Sequence, residues 1–554
     1  MSRKLPKLTS ALMLALVTLL SAAGDPLGGG PASTPEDPVL RAMKIELDRS
    51  KSQLKLEQMA APYYIDYHVV DVDRRAAEAA YGALRSDLRV RLRFLRVVVR
   101  VGDYKQDSYF GQGEGWFDLA PLDDDELALR DHLWLATDRA YKAAIESLSA
   151  KQAQLKQLTI DQPVDDFAHA DPVQQLEPLA KLDGDTTPWL KTIQDATALY
   201  KTDPEVQSMT ASLEFQAVNR YFVNTEGSIV RTGETSYQAR MEASTQAPDG
   251  MQLDQSAGYI VKDLKDLPAA GKFYGRAGEM VGTLKDLRAA PLADEEYRGP
   301  VLFSNNAAAT IFLDLVGVNI RGLRPNLGQP VRTRGAFASS YHSRVLPDFL
   351  SVVDDPTLAS YDGKALLGHY NVDDEGVRPQ QVLAVDKGNL VNYLLGRQPI
   401  RDFPNSNGHG RARLPVAPPE PNLGNLIVTT SAKVPGADMR KKLIELCQQR
   451  EQPYGYYVET LASLRNPRLL YKVWAKDGHQ ELIRGAVFAD LDVRSLRSDL
   501  VAAGDDMYVG NRTQNIPHSV VNPSVLFDEL EVKRVDQNKS KLPEYPPPPL
   551  TTPH

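Results

Sequence analysis

One cysteine in 554 residues, Cys447, excludes an internal disulfide and any zinc site built on cysteines. It follows Leu443, Ile444 and Leu446 on a helix begun by Asp438, a pattern that assigns it to core filling. A surplus of positive charge is also missing. The formal net charge is −8, which disfavours nucleic acid and anionic membrane as partners. Arg89, Arg91 and Arg93 alternate on one strand and read as an ion-paired or solvated face. No G-x-S-x-G elbow occurs, so the chain carries no signal for serine hydrolysis. The nine histidines are scattered, with no two inside one helical turn. The apolar run from Ala11 to Leu20 is too short to span a bilayer comfortably, and no lipid-attachment cysteine follows it.

What is present begins with a leader. Arg3, Lys4 and Lys7 form a positive region, Ala11 to Leu20 an apolar one, and Ser21-Ala22-Ala23 a small-residue cleavage site. Residues 1–23 therefore read as a signal peptide, and the protein is expected to be exported to the periplasm or the exterior. Their removal takes away three positive charges and no acid, moving the net charge from −8 to −11. Residues 24–35 read as a flexible leader, and the proline-rich tail at 541–554 as extended.

A chain of this length predicts more than one core. The reading is α+β in two domains, an α/β domain at 36–292 and a mainly antiparallel β domain at 298–536. In the first, strands are expected at Tyr63–Val70, Arg89–Val101, Met209–Val218, Tyr221–Val223 and Ile229–Arg231. A hairpin turn is expected at Asn224-Thr225-Glu226-Gly227. Asp123 to Asp125 is expected to cap a long helix through Leu129, Leu133, Ala136 and Ala140. In the second, Gln380–Val385 and Leu390–Leu395 flank the turn Asp386-Lys387-Gly388-Asn389, and Leu469–Ala475 pairs with Glu481–Phe488 across Lys476-Asp477-Gly478-His479.

The richest stretch is Gly368-His369-Tyr370-Asn371-Val372-Asp373-Asp374-Glu375-Gly376-Val377. Three adjacent carboxylates are costly to bury, so Asp373, Asp374 and Glu375 are expected at a solvent-facing or cleft-facing edge. With Val353-Asp354-Asp355-Pro356-Thr357, Asn407-Gly408-His409-Gly410-Arg411, Ile483-Arg484-Gly485-Ala486 and Gly504-Asp505-Asp506, this stretch resembles the C-terminal domain of the TldD/PmbA family over about 298–536. The family comprises modulators of DNA gyrase classed with metallopeptidases.

The resemblance implies a metal site that this sequence does not carry. Metal-binding members have HExxxH on a helix early in this domain, with the two His binding zinc and the Glu acting on its water. The corresponding helix is Asn306–Ile320, and Leu313, Asp314 and Val318 stand at the His, Glu and His positions. The third ligand of such members is a Cys, and the equivalent segment Val509-Gly510-Asn511-Arg512-Thr513-Gln514 has none. No zinc or other cofactor is therefore expected. His369 and His409 with Asp373 and Glu375 form the one cluster whose donors would suit a relocated metal. Asp374, Glu375, Asn407, His409 and Arg411 are the candidate substrate contacts.

The resemblance further implies a metal-free homologue of a metallopeptidase. It would bind peptide or an unfolded segment, as a homo-oligomer or a hetero-oligomer with a metal-bearing paralogue. An active peptidase with relocated ligands and a structural envelope protein are the alternatives.

Overall fold

The computed structural model describes residues 37–109, 115–158, 163–182, 184–413, 417–513, 516–535 and 540–545. The expected signal peptide and leader, Gln514 and the tail from residue 546 lie outside the described residues.

The first half is one seven-stranded sheet with helices packed on it. Its strands are β1 (Pro62–Ala80), β2 (Ala83–Val101), β3 (Trp116–Leu119), β4 (Gln174–Leu176), β5 (Ser208–Asn224), β6 (Ile229–Gln246) and β7 (Gln252–Val261), in the order β3-β2-β1-β5-β6-β4, with β7 also on β6. All pairings are antiparallel except β4 with β6. The β1–β2 turn is two residues, Tyr81 and Gly82, at φ 53° and 76°, the twist that joins antiparallel strands tightly. β5 and β6 join through the expected Asn224–Gly227 turn, where Gly227 sits at φ 106° and the Asn224 side chain accepts from Ser228 N.

Helices α1 (Pro38–Gln53) and α2 (Glu126–Leu155) cover one end of this sheet. Asp125 caps α2 by accepting from Ala128 N at 2.7 Å. Leu129, Leu133, Ala136 and Ala140 then face Ile65, Tyr67 and Val69 of β1 in one buried cluster. Burying one such leucine contributes about 1.5–3 kcal/mol, so the face holds α2 to the sheet more firmly than helix propensity could. Helices α3 (Thr187–Thr197) and α4 (Ala270–Ala289) pack against β5, β6 and β7 through Ile193, Ala196, Phe273, Met280 and Leu284.

From β8 (Glu296–Phe303) onward the described residues build two large sheets and two small two-stranded ones, Ser360–Tyr361 with Lys364–Ala365 and Gly410–Arg411 with Glu420–Pro421. β8 lies inside an eight-stranded sheet, between Val525–Arg534 and Tyr454–Ser463. A six-stranded sheet runs through Asn389–Leu390, Val382–Asp386, Leu350–Asp354, Asn425–Thr430, His518–Asn522 and Tyr508–Arg512. Three pairings in these sheets are parallel and the rest antiparallel, so the second half is α+β dominated by antiparallel structure. Both expected hairpins are present, with Lys387 and Gly388 at φ 44° and 80° and Gly478 at φ 73°. Both return strands are shorter than expected: Asn389–Leu390 in the first and Gln480–Ile483 in the second, where Ala486–Phe488 pairs with Val525–Arg534 instead. Helix Met439–Gln449 buries Cys447 completely with Leu443 beside it.

Helix α5 (Asn305–Phe312) does not continue to Ile320 as a regular α-helix. Ser304 caps its start, accepting from Ala307 N. At its end the chain widens into a π-turn at Leu313–Gly317, in which Val318 N bonds Leu313 O at 3.1 Å.

Candidate functional site

A cavity of about 1680 Å³ lies between the first sheet and the second half. One wall is polar strand surface from β1, β5, β6 and β7, including Arg74, Glu214, Gln238 and Ser256. The opposite wall is α5 with its π-turn, the strand Tyr454–Ser463, and the segment from Tyr508 to Thr513. Thus the helix and the glycine-containing segment that the family resemblance singles out face the same space.

Leu313, Asp314 and Val318 all line this cavity. The π-turn explains how. Residues five apart lie well round an ordinary α-helix from each other, whereas the wider turn closed by Val318 N and Leu313 O stacks 313 near 318. This is the backbone that an HExxxH spacing needs, but the donor set does not fit a metal. Leu313 and Val318 offer no lone pair, and Val318 presents 48% of its surface to the cavity. Asp314 is accessible to the cavity, yet the surrounding walls desolvate it and raise its carboxyl above the usual range, with Arg512 opposing the shift. Among the described residues no three His, Cys, Asp or Glu side chains gather as a metal site.

The other candidate cluster lies elsewhere. None of Asp374, Glu375, Asn407, His409 and Arg411 lines the large cavity. Contrary to expectation, Asp373 is buried at 5% exposure rather than set at an edge. Backbone N–H groups make its burial feasible, since its carboxylate accepts from Glu375, Val377 and Gly410. Glu375 is half-buried and accepts from Arg397 N at 2.6 Å. Burial raises the carboxyls of both Asp373 and Glu375, and the Glu375 charge raises Asp373 further.

Asn407 spans the loop, accepting from Leu395 N and donating to Tyr393 O. His409 is fully buried, with Nε2 3.2 Å from Asp354 Oδ1 and Nδ1 2.9 Å from Asn407 Oδ1. Arg411 is 8% exposed and lies over the Tyr370 ring at 4.2 Å, with Nε 3.7 Å from Asp374. His369 Nδ1 contacts Pro356 O at 2.9 Å and joins no ligand group. The relocated metal cluster is therefore not assembled. Asp374 and Glu375 border only a narrow crevice with Tyr64, His68 and Arg100. The glycines of the motif serve close approach: a Cβ on Gly410 would meet Glu375 Oε2 at 2.0 Å, and one on Gly408, at φ 75°, would meet Arg378 O at 2.3 Å.

Residues 296–534 match the family described as the PmbA/TldA metallopeptidase C-terminal domain. This second half of the chain belongs to the TldD/PmbA family. A metalloprotease of Methanothermobacter thermautotrophicus is 25% identical over 222 residues, which are 37% of this chain and 42% of that protein's length. Two crystal structures share the fold across nearly the whole of their chains. A candidate modulator of a DNA gyrase from Thermotoga maritima superposes with a TM-score of 0.58 at 15% identity, covering 88% of this chain and 99% of its own. TldE from Thermococcus kodakarensis superposes with a TM-score of 0.57 at 13% identity, covering 89% and 99%. The cavity is also lined by residues that the sequence did not mark, chiefly Arg321 and Arg413. Their one available signal was the alternation Arg411-Ala412-Arg413, of which Arg411 turns into the protein and Arg413 to the cavity.

Proposed function

We propose that this chain is an exported TldD/PmbA protein that keeps the family cavity, lacks metal-dependent hydrolysis and binds extended peptide there. The observation that carries the reading is the pair Leu313 and Val318, aliphatic side chains at the two expected His positions on a π-turn that faces the cavity. The polar strand wall supports the ligand class, because extended peptide is recognised through main-chain hydrogen bonds and alternating side-chain contacts.

A partner is part of the same reading. Trp116, Phe117 and Leu119 are 39%, 61% and 53% exposed on the edge strand β3, apolar side chains of the kind that meet a second copy or a metal-bearing homologue. The tripartite leader supports export, and an N-terminus near Gly24 in native material would agree with it.

The test is metal content of the purified protein by mass spectrometry, with peptide binding and cleavage measured with and without chelator. Binding without stoichiometric zinc or cleavage is expected. Near-stoichiometric zinc with chelator-sensitive cleavage, both lost in His369→Ala or His409→Ala, would replace this reading by a peptidase with relocated ligands.

A further inference from the structure

The cavity has a charge of its own, opposite to that of the chain. Among the described residues, seven arginines line it against four carboxylates, Glu78, Glu214, Asp314 and Glu459, in a protein of formal net charge −8. Several of these arginines are answered by acids, as Arg74 is by Glu214 at 3.0 Å and Arg468 by Asp254 at 2.7 Å. Beside the π-turn they are not. There, among the described residues, a single carboxylate, Glu420, serves three guanidinium groups. Its oxygens lie 3.1 Å from Arg321 Nη2, 3.7 Å from Arg334 Nη2 and 3.9 Å from Arg413 Nη2. One negative charge among three positive ones leaves a local excess of two.

The hydrogen bonds agree. Arg321 is anchored, donating from Nε to Pro421 O and from Nη2 to Glu420. Arg334 Nε is buried with no hydrogen-bond partner among the described residues. The Arg413 side chain makes no hydrogen bond among the described residues, is 53% exposed and lines the cavity with Arg321. Arg512, also on the cavity, has no carboxylate within 4.0 Å among the described residues, and its Nη1 donates only to Asn511 O. Guanidinium forks held in a partly desolvated recess select planar, bidentate acceptors.

We propose that this arginine group is an anchor for a carboxylate of the bound peptide, taken by Arg413 with Arg321 fixed behind it. The inference rests on the peptide-binding reading and adds its specificity. The carboxylate comes either from an acidic side chain or from the peptide's C-terminus, and the two sources can be separated.

The experiment is calorimetric titration of the full chain with three hexapeptides of alanine and threonine. All three are N-acetylated; one is amidated and neutral, one has a free C-terminus, and one is amidated with a single internal glutamate. At least one carboxylate peptide is expected to bind about tenfold or more tighter than the neutral one, the worth of a charge-assisted hydrogen-bonded contact. Which of the two gains identifies the source. The advantage should shrink several-fold in Arg413→Gln, persist in part in Arg413→Lys, and grow in Glu420→Gln, which frees the arginines. All three substitutions are at accessible positions, and circular dichroism checks that each variant folds. Equal affinity for all three peptides, or an advantage unchanged in Arg413→Gln, overturns the anchor and leaves peptide binding intact. No binding by any peptide overturns both.

Discussion

Arg397 and Glu226 form an ion pair of 2.7 Å between the two halves of the chain, with the arginine fully buried. The guanidinium also donates from Nε and Nη2 to Ala168 O and lies 4.0 Å over the Phe167 ring. Glu226 belongs to the β5–β6 turn, and Arg397 follows the loop that Asn407 holds, so one side chain ties the sheet to the second half. Removing one member of a buried pair leaves the other uncompensated, at about 3–5 kcal/mol. Arg397→Met should therefore lower the urea midpoint sharply. Arg397→Lys should fall between, because the charge survives and the fork to Ala168 does not. A change under about 1 kcal/mol in Arg397→Met would mean the pair does not tie the halves.

Asp373 and Glu375 give a pH dependence whose sign follows from their burial. Both native carboxyls are raised, so the folded chain holds protons that the unfolded chain releases near pH 4. Their contribution is favourable below that value and is lost as pH rises toward their native values. Glu375→Gln keeps an acceptor for Arg397 N and removes one of the two charges. The melting temperature of the variant should decline less than that of the wild type between pH 4 and 8. Parallel curves would assign the decline to other groups. Each tenfold difference in acidity between the folded and unfolded carboxyl corresponds to about 1.4 kcal/mol.

These two networks mark where the sequence stops being informative. The turns at Asn224–Gly227, Lys387-Gly388 and Lys476–His479, the Asp125 cap and the apolar face of α2 all follow from local chemistry, and each is present. Strands β1 and β2 run about ten and six residues beyond the expected segments, because Ala76 to Ala80 and Ala83 to Leu88 have weak strand propensity and pair only through their neighbours. The family motifs of the second half were readable in order. The burial of Asp373 was not, since one of its donors, Gly410 N, is 37 residues away. Nor was the crowding on Glu420, whose nearest arginine is separated from it by 99 residues.

Cys447 gives a simple accessibility test. It is fully buried, and burial pushes its thiol up to about 11. A protonated, enclosed thiol is a poor nucleophile. The native protein should leave a disulfide reagent unreacted at pH 8, and one thiol per chain should appear on unfolding in guanidinium chloride. Rapid reaction of the native protein would show that helix Met439–Gln449 is not seated on the sheet.

The π-turn can be tested by giving it ligands. Because Val318 N bonds Leu313 O, side chains at 313 and 318 stand on neighbouring turns of one wide coil, and Asp314 lies between them in sequence. The variant Leu313→His/Asp314→Glu/Val318→His should gain a two-histidine zinc site that the wild type lacks. A ligand that binds only the folded chain stabilises it by about 2.7 kcal/mol at a concentration one hundred times its Kd. A rise in melting temperature on adding zinc, absent in the wild type and reversed by chelator, is the expected result. Peptide cleavage is not expected, since a hydrolytic site needs a third protein ligand and the segment Val509–Thr513 supplies no Cys. If zinc shifts the wild type as much as the variant, the metal binds elsewhere. If it shifts neither, positions 313 and 318 do not converge as the π-turn requires.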